Sequence, residues 1–171
     1  TGIYIRPIVL FQAQPKTDKD NTTFEVLKKK LIEIGIPENE IAIKTANINE
    51  IKSIDLSSKS CKIKYIITVN ALKEGWDCPS AYILASLSNR TSTVDVEQIV
   101  GRILRQPYAR NYKSSFLNMS YVITSSTDFN KTLEVVLKGL NSAGFSEKDY
   151  RAFDLEQNEE FLKEVIETQI T

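Results

Sequence analysis

The 171-residue sequence contains no histidine. That absence removes imidazole acid/base catalysis, Ser-His and Cys-His nucleophile pairs, and nearly every zinc site the chain could build alone. Any catalysis must rest on Arg, Lys and carboxylates. The two cysteines, Cys61 and Cys78, are neither spaced as CxxC nor numerous enough to staple a fold, which fits a reducing compartment. No stretch approaches the roughly 18 to 20 consecutive apolar residues of a membrane span, and no basic-then-apolar leader opens the sequence. A soluble, cytoplasmic protein without a membrane partner is expected. There is no initiator methionine, and a strand-like run begins almost at once in TGIYIRPIVLF, as in a piece of a longer polypeptide.

Two missing patterns are more specific. No GxxxxGK[ST] loop is present to cradle phosphates, and no paired acidic motif of the DEAD or DEAH kind is present to hold magnesium. A PD…ExK nuclease pattern is likewise missing.

What is present is enough apolar residue, 42%, for one domain with a sizeable core. Net charge is zero, but residues 1 to 127 carry 17 basic and 12 acidic side chains, and residues 128 to 171 carry 5 basic and 10 acidic. The basic excess therefore lies in the larger, amino-terminal part. Residues 3 to 11 (IYIRPIVLF) read as a buried strand, with Pro7 awkward in a central position. Residues 22 to 34 place Phe24, Leu27, Leu31 and Ile34 on one helical face, Gly35 stops the helix, and Lys28 to Lys30 form a solvated face. Short strands follow at 40 to 44 (EIAIK), 64 to 69 (KYIITV), 81 to 87 (AYILASL) and 119 to 125 (MSYVITS). Helices are expected at about 93 to 106, closed by Pro107, and from Phe129 through Leu133, Val136, Leu137 and Leu140 to near Gly144. This alternation gives an α/β fold, a parallel sheet with helices on both faces. Residues 1 to 145 make the domain; 146 to 171 are acidic and form a peripheral helix or a linker.

In such sheets ligands bind beyond the carboxyl ends of the strands, which draws attention to NALKEGWDCPS, residues 70 to 80. Gly75 allows an unusual backbone angle or a close ligand, Asp77 is an acceptor suited to a ribose hydroxyl, and Pro79 stiffens the exit. Alone, the stretch also reads as a turn around a buried tryptophan. The segment VEQIVGRILRQP, residues 96 to 107, splits into an apolar stripe (Val96, Ile99, Val100, Ile103, Leu104) and a polar face (Gln98, Arg102, Arg105) beside Gly101. Arginine suits phosphate because its planar fork stays charged and donates in fixed geometry, although two arginines one turn apart also read as an ordinary solvated face.

Together, VNALKEGWDCP and QIVGRILRQP resemble motifs V and VI of superfamily-two helicases and translocases, in their second RecA-like domain. KEGWDCPSAYIL with QIVGRILRQ looks most like the Res subunit of type III restriction enzymes, and IVLFQAQ (8 to 14) stands where motif IV would be. Bacterial excision-repair helicases share the EGxDxP pattern. The resemblance spans roughly residues 3 to 145. It implies an ATP-dependent translocase or helicase whose nucleotide lies between two RecA-like domains. Arg102 and Arg105 would reach across to the phosphates as catalytic groups, and Gly75, Asp77 and Gln98 would bind or orient the nucleotide. Gln12, Thr68, Asn70 and Lys73 would lie along the nucleic-acid track. Glu74 before Gly75 departs from the frequent motif V form with threonine and arginine, which bears on Thr68 and Lys73. ATP and Mg2+ are the implied cofactors, with the metal ligands in a first RecA-like domain. Double-stranded DNA, that first domain and a Mod-type methyltransferase are the implied partners, and a nuclease would occupy a further domain. Two other readings are a RecA-like module that grips nucleic acid or protein without hydrolysis, and an α/β domain that binds a phosphorylated small molecule. The isolated piece is expected to be inactive.

Overall fold

A computed structural model describes residues 4–15, 23–69, 78, 80–87, 112–124, 129–142, 144 and 146. Its described elements are β1 (Ile8–Gln12), α1 (Phe24–Glu33), β2 (Ile41–Lys44), β3 (Tyr65–Thr68), β4 (Ala81–Ser86), β5 (Tyr121–Thr124) and α2 (Phe129–Ser142), with short 3-10 turns at Glu38–Glu40 and Ser115–Asn118. Each expected strand forms; the later four are shortened at one or both ends, and the first, expected over 3 to 11, occupies Ile8–Gln12. The first starts at Ile8, immediately after Pro7, which has no amide to give a ladder. The helix expected at 93 to 106 lies outside the described residues.

The five strands pair in the order β2-β3-β1-β4-β5, and every pairing is parallel. Alternation along the strands divides the core in two. One face holds Ile8, Leu10, Ala42, Ile66, Ala81 and Leu84, joined by Ile51 and Cys78. The other holds Ala13, Ile41 and Ile67, covered by Leu27 and Leu31 of α1. Burying one such aliphatic side chain contributes about 1.5 to 3 kcal/mol relative to leaving it in water, so these two layers carry the fold.

Helix α1 begins where the Thr23 hydroxyl accepts the Val26 amide at 3.5 Å, and Glu25 adds negative charge to the first turn. Its end corrects one expectation. Ile34 is not part of the buried stripe: it follows the last helical turn and is 75% exposed. Gly35, at φ 98°, reverses the chain, its amide donates to Ile32 O at 2.9 Å, and the Ile36 amide donates to Leu31 O at 3.1 Å. In this Schellman arrangement the residue after the glycine returns to the helix, and Ile36 packs against the cluster in place of Ile34. Lys29 and Lys30 are exposed, as expected, while Lys28 pairs with Glu38 at 2.9 Å.

The connections set the position of the site. From β1 the chain crosses over β3 to the outer strand β2, with α1 on one face. It then turns back to β3 with Ile51, Leu56 and Ile63 on the opposite face. Right-handed crossovers require this change of face when the direction reverses. The step from β3 to β4 continues in the reversed direction and brings Cys78 into the same layer as Ile51. The connections out of β1 and into β4 thus lie in opposite layers, the arrangement that in open α/β sheets places ligands beyond the carboxyl ends of the strands.

Candidate functional site

In register, the last residues of the five strands form one row across the sheet: Lys44, Thr68, Gln12, Ser86 and Thr124. The row before it, Ile43, Ile67, Phe11, Ala85 and Ile123, is apolar throughout. The change from core to polar edge therefore occurs within a single residue step along all five strands.

At the middle of this row Gln12 is 3% exposed and Thr68 1%. A buried amide side chain is stable only when hydrogen-bonded, and the Gln12 carbonyl oxygen accepts the Ser86 hydroxyl at 3.2 Å. The strands stay tied beyond their ends: the Ala13 amide donates to Thr68 O at 2.8 Å, and the Leu87 amide donates to Gln12 O at 2.9 Å. One residue further, the Gln14 side-chain nitrogen donates to Leu87 O at 2.9 Å. β1 is thus bonded both to the strand that precedes residues 70 to 80 and to the strand that precedes residues 88 to 107.

The far end of the first of these segments is fixed as well. Cys78 is buried in the core and its carbonyl accepts the Ala81 amide at 3.0 Å, while Ser80 O accepts the Ile8 amide at 2.8 Å. The stretch that carries Gly75 and Asp77 therefore starts at the carboxyl edge beside Thr68 and ends at the amino end of β4. Of the residues singled out in the sequence, Gln12 and Thr68 are placed in adjacent strands of the polar row. Asn70, Lys73, Gly75, Asp77, Gln98, Arg102 and Arg105 lie outside the described residues.

The opposite end of the sheet is organised by Arg6, which the sequence reading passed over. Arg6 is 9% exposed; its Nε donates to Ile63 O at 2.9 Å, Nη1 to Ser58 O at 3.0 Å and Cys61 O at 2.6 Å, and Nη2 to Leu56 O. One guanidinium thereby secures the long return from β2 to β3. A charged residue inside the apolar run IYIRPIVLF was the available signal. Nearby, Lys64 lies 2.8 Å from the Glu40 carboxylate, a hydrogen bond that raises its ammonium above the ordinary lysine range. The hydroxyl and amide of Ser57 hold the Asp55 carboxyl below its usual range. Arg6 and Lys64 hold the return from β2 to the sheet, Asp55 orders a turn within it, and all stand apart from the carboxyl edge.

Among the described residues no group of three or more Cys, Asp or Glu side chains could hold a metal ion. Neither Cys61 nor Cys78 is in a disulfide. No described helix is long and apolar enough to cross a membrane.

No protein-family description and no curated protein matches the chain. Solved structures do. The C-terminal domain of the DEAD-box protein Dbp5 superposes with a TM-score of 0.51 at 16% identity, over 94% of this chain and 83% of that one. An ATP-dependent Type ISP restriction-modification enzyme, LlaBIII, bound to DNA gives 0.48 at 20% identity, covering 83% of this chain but only 10% of that one. The C-terminal part of the Fun30 ATPase domain gives 0.48 at 13% identity, over 77% and 39% of the two chains. The present chain thus spans a tenth of the restriction enzyme and about two-fifths of the Fun30 fragment. The fold is α/β and RecA-like, the parallel-sheet architecture shared with the Dbp5 domain.

Proposed function

We propose that this chain is the second RecA-like motor domain of an ATP-dependent DNA translocase or helicase, most similar to the Res subunit of type III restriction enzymes. The observation that carries the reading is the convergence at the switch point. The segments bearing GWDCP and QIVGRILRQ both leave from the carboxyl ends of strands hydrogen-bonded to β1, on the edge where open α/β sheets bind ligands.

In this reading the domain is one wall of a nucleotide cleft and spans residues 1 to 145, with 146 to 171 as an extension towards another domain. Gly75, Asp77 and Gln98 border the nucleotide, and Arg102 and Arg105 supply positive charge to its phosphates. Asn70 and Lys73 follow the nucleic-acid backbone. Gln12 and Thr68, being buried, serve that track by shaping the edge from which Asn70 and Lys73 emerge. The row is uncharged at Thr68, Gln12 and Ser86, and no acidic cluster for Mg2+ lies among the described residues, so this part of the edge gives shape rather than charge to the cleft. The metal, which when bound offsets phosphate charge, is assigned to a first RecA-like domain together with the phosphate loop. Double-stranded DNA and a Mod-type methyltransferase are the proposed partners, and the cytoplasm the proposed compartment.

The test is Arg105→Ala in the natural polypeptide that contains this chain. An arginine supplied to developing phosphate charge is worth about 10³ to 10⁵ in rate. DNA-stimulated ATP hydrolysis should therefore fall by about that factor while ATP binding changes far less. Hydrolysis at the unmodified rate would refute the reading.

A further inference from the structure

Strand β2 lies at the end of the sheet beside β3, so one row of its main-chain groups faces away from the ladder. Such an edge is a template for pairing with another chain unless it is covered. Here the chain covers it with its own next residues. After Lys44 it reverses through residues 46 and 47 and returns antiparallel, with a single bridge between Lys44 and Asn49. The Thr45 amide donates to Ile48 O at 2.7 Å, and the Glu50 amide donates to Ile43 O at 3.1 Å. The Thr45 hydroxyl tightens the reversal by accepting the Ile48 amide at 3.0 Å.

In an antiparallel ladder, alternate facing residues exchange both of their bonds, so Ile43 opposite Glu50 should donate to Glu50 O. It donates instead to the Glu50 carboxylate, at Oε2, over 2.7 Å. The chain leaves the edge at this point because Ile51, 7% exposed, enters the core. The side chain thus supplies the acceptor that the departing carbonyl does not. The Ile41 amide is taken from the other direction, by Glu38 O. The outward amides of Ile41, Ile43 and Thr45 are therefore all satisfied within the chain, and of the three only Ile43 depends on an exposed side chain.

We infer that Glu50 is the latch of a cover on the β2 edge: its carboxylate holds residues 45 to 50 against the strand and so excludes pairing with a second copy of this chain. A second copy fits the edge because EIAIK, residues 40 to 44, is complementary to itself when antiparallel. Glu40 opposes Lys44, Ile41 opposes Ile43, and Ala42 lies on the two-fold axis. In that register the freed Ile43 amide meets the Ile41 carbonyl of the second copy, the main-chain pairing on which strand addition relies.

Glu50→Ala removes the latch and, because Glu50 is exposed, leaves the core intact; Glu50→Gln keeps an acceptor. In dilute solution the amides of Ile43 and Thr45 should exchange about tenfold faster or more in Glu50→Ala, while those of Ile66 and Ile67 in β3 stay unchanged. Glu50→Gln should stay within about threefold of the unmodified chain. Sedimentation should show a concentration-dependent gain in mass for Glu50→Ala that the unmodified chain and Glu50→Gln lack. Adding Lys44→Glu to Glu50→Ala sets carboxylates opposite each other and should abolish that gain. An Ile43 amide that stays protected in dilute Glu50→Ala overturns the inference. So does a Glu50→Ala chain whose mass does not rise with concentration, or one whose association survives Lys44→Glu.

Discussion

Arg6, just before β1, and Gln12, at its end, are both polar residues in an apolar run, and each is kept by the bonds it makes. For Arg6 the partners are carbonyls of the β2 to β3 return, at Leu56, Ser58, Cys61 and Ile63. Arg6→Ala strands several part-buried acceptors at once, and an unsatisfied group costs about 1 to 3 kcal/mol when fully buried. Denaturant unfolding should show a loss of about 2 to 4 kcal/mol. Arg6→Lys should recover little of it, because one ammonium cannot reproduce the planar fork. A loss within about 0.5 kcal/mol, the range of ordinary surface changes, would mean that the loop is held by other contacts. Tyr82 shows the reverse case: it is 3% exposed and its hydroxyl has no hydrogen-bond partner among the described residues. Tyr82→Phe should therefore raise stability by about 1 kcal/mol. Burial, with Tyr112 nearby, pushes the Tyr82 hydroxyl above its ordinary value of 10.0. The folded state then holds its proton where the unfolded state has lost it. That contribution is complete below pH 10 and is lost as pH rises towards the folded value. Melting curves above pH 10 should fall less steeply in Tyr82→Phe, and an equal fall in both proteins would contradict the assignment. The charge of Arg6 inside an apolar run was a visible signal, but the partners that define these roles were not legible in the sequence.

At the scale of elements, short apolar, β-branched runs identified the five described strands, and the 3.6-residue periodicity both described helices. The misread residue was Ile34. Its spacing from Leu27 and Leu31 continued the helical face, but spacing alone does not say where the glycine turn begins. Helix α1 ends one residue earlier, and Ile36 fills the core after the reversal at Gly35. A Cβ at Gly35 would meet nothing within 4 Å, so its conformation alone disfavours a side chain. Gly35→Ala should cost about 1 to 2 kcal/mol, the penalty for a left-handed backbone without steric clash. A neutral result in thermal melts would show that the turn relaxes. Leu31→Ala, with a buried side chain between α1 and the sheet, should cost about 2 to 5 kcal/mol.

For the whole molecule, the alternation of strands and helices made the parallel sheet legible, and the expectation of a ligand at the carboxyl edge followed from that architecture. The strand order was not legible, because nothing local to β2 records that it lies outside β3 and away from β1. The bonds of Gln12 and Gln14 to Ser86 and Leu87 depend on that order, so they too became visible only in three dimensions. The motif residues were legible as a pattern, and the structure places Gln12 and Thr68 side by side within it. A chain without a phosphate-gripping loop should show no magnesium-dependent ATP turnover by itself, and turnover that co-purifies with the chain and persists in Arg105→Ala would count against a shared cleft. The central claim is that the carboxyl edge is one wall of a nucleotide cleft completed by another domain. At 19.4 kDa the chain suits amide-resolved NMR. Adding the proposed first RecA-like domain with a non-hydrolysable ATP analogue should perturb the amides of Gln12 to Gln14, Thr68, Val69, Ser86 and Leu87, and leave those of Arg6 and Ile63 unchanged. Perturbations confined to the Arg6 end, or no perturbation at saturating nucleotide and domain, would contradict it.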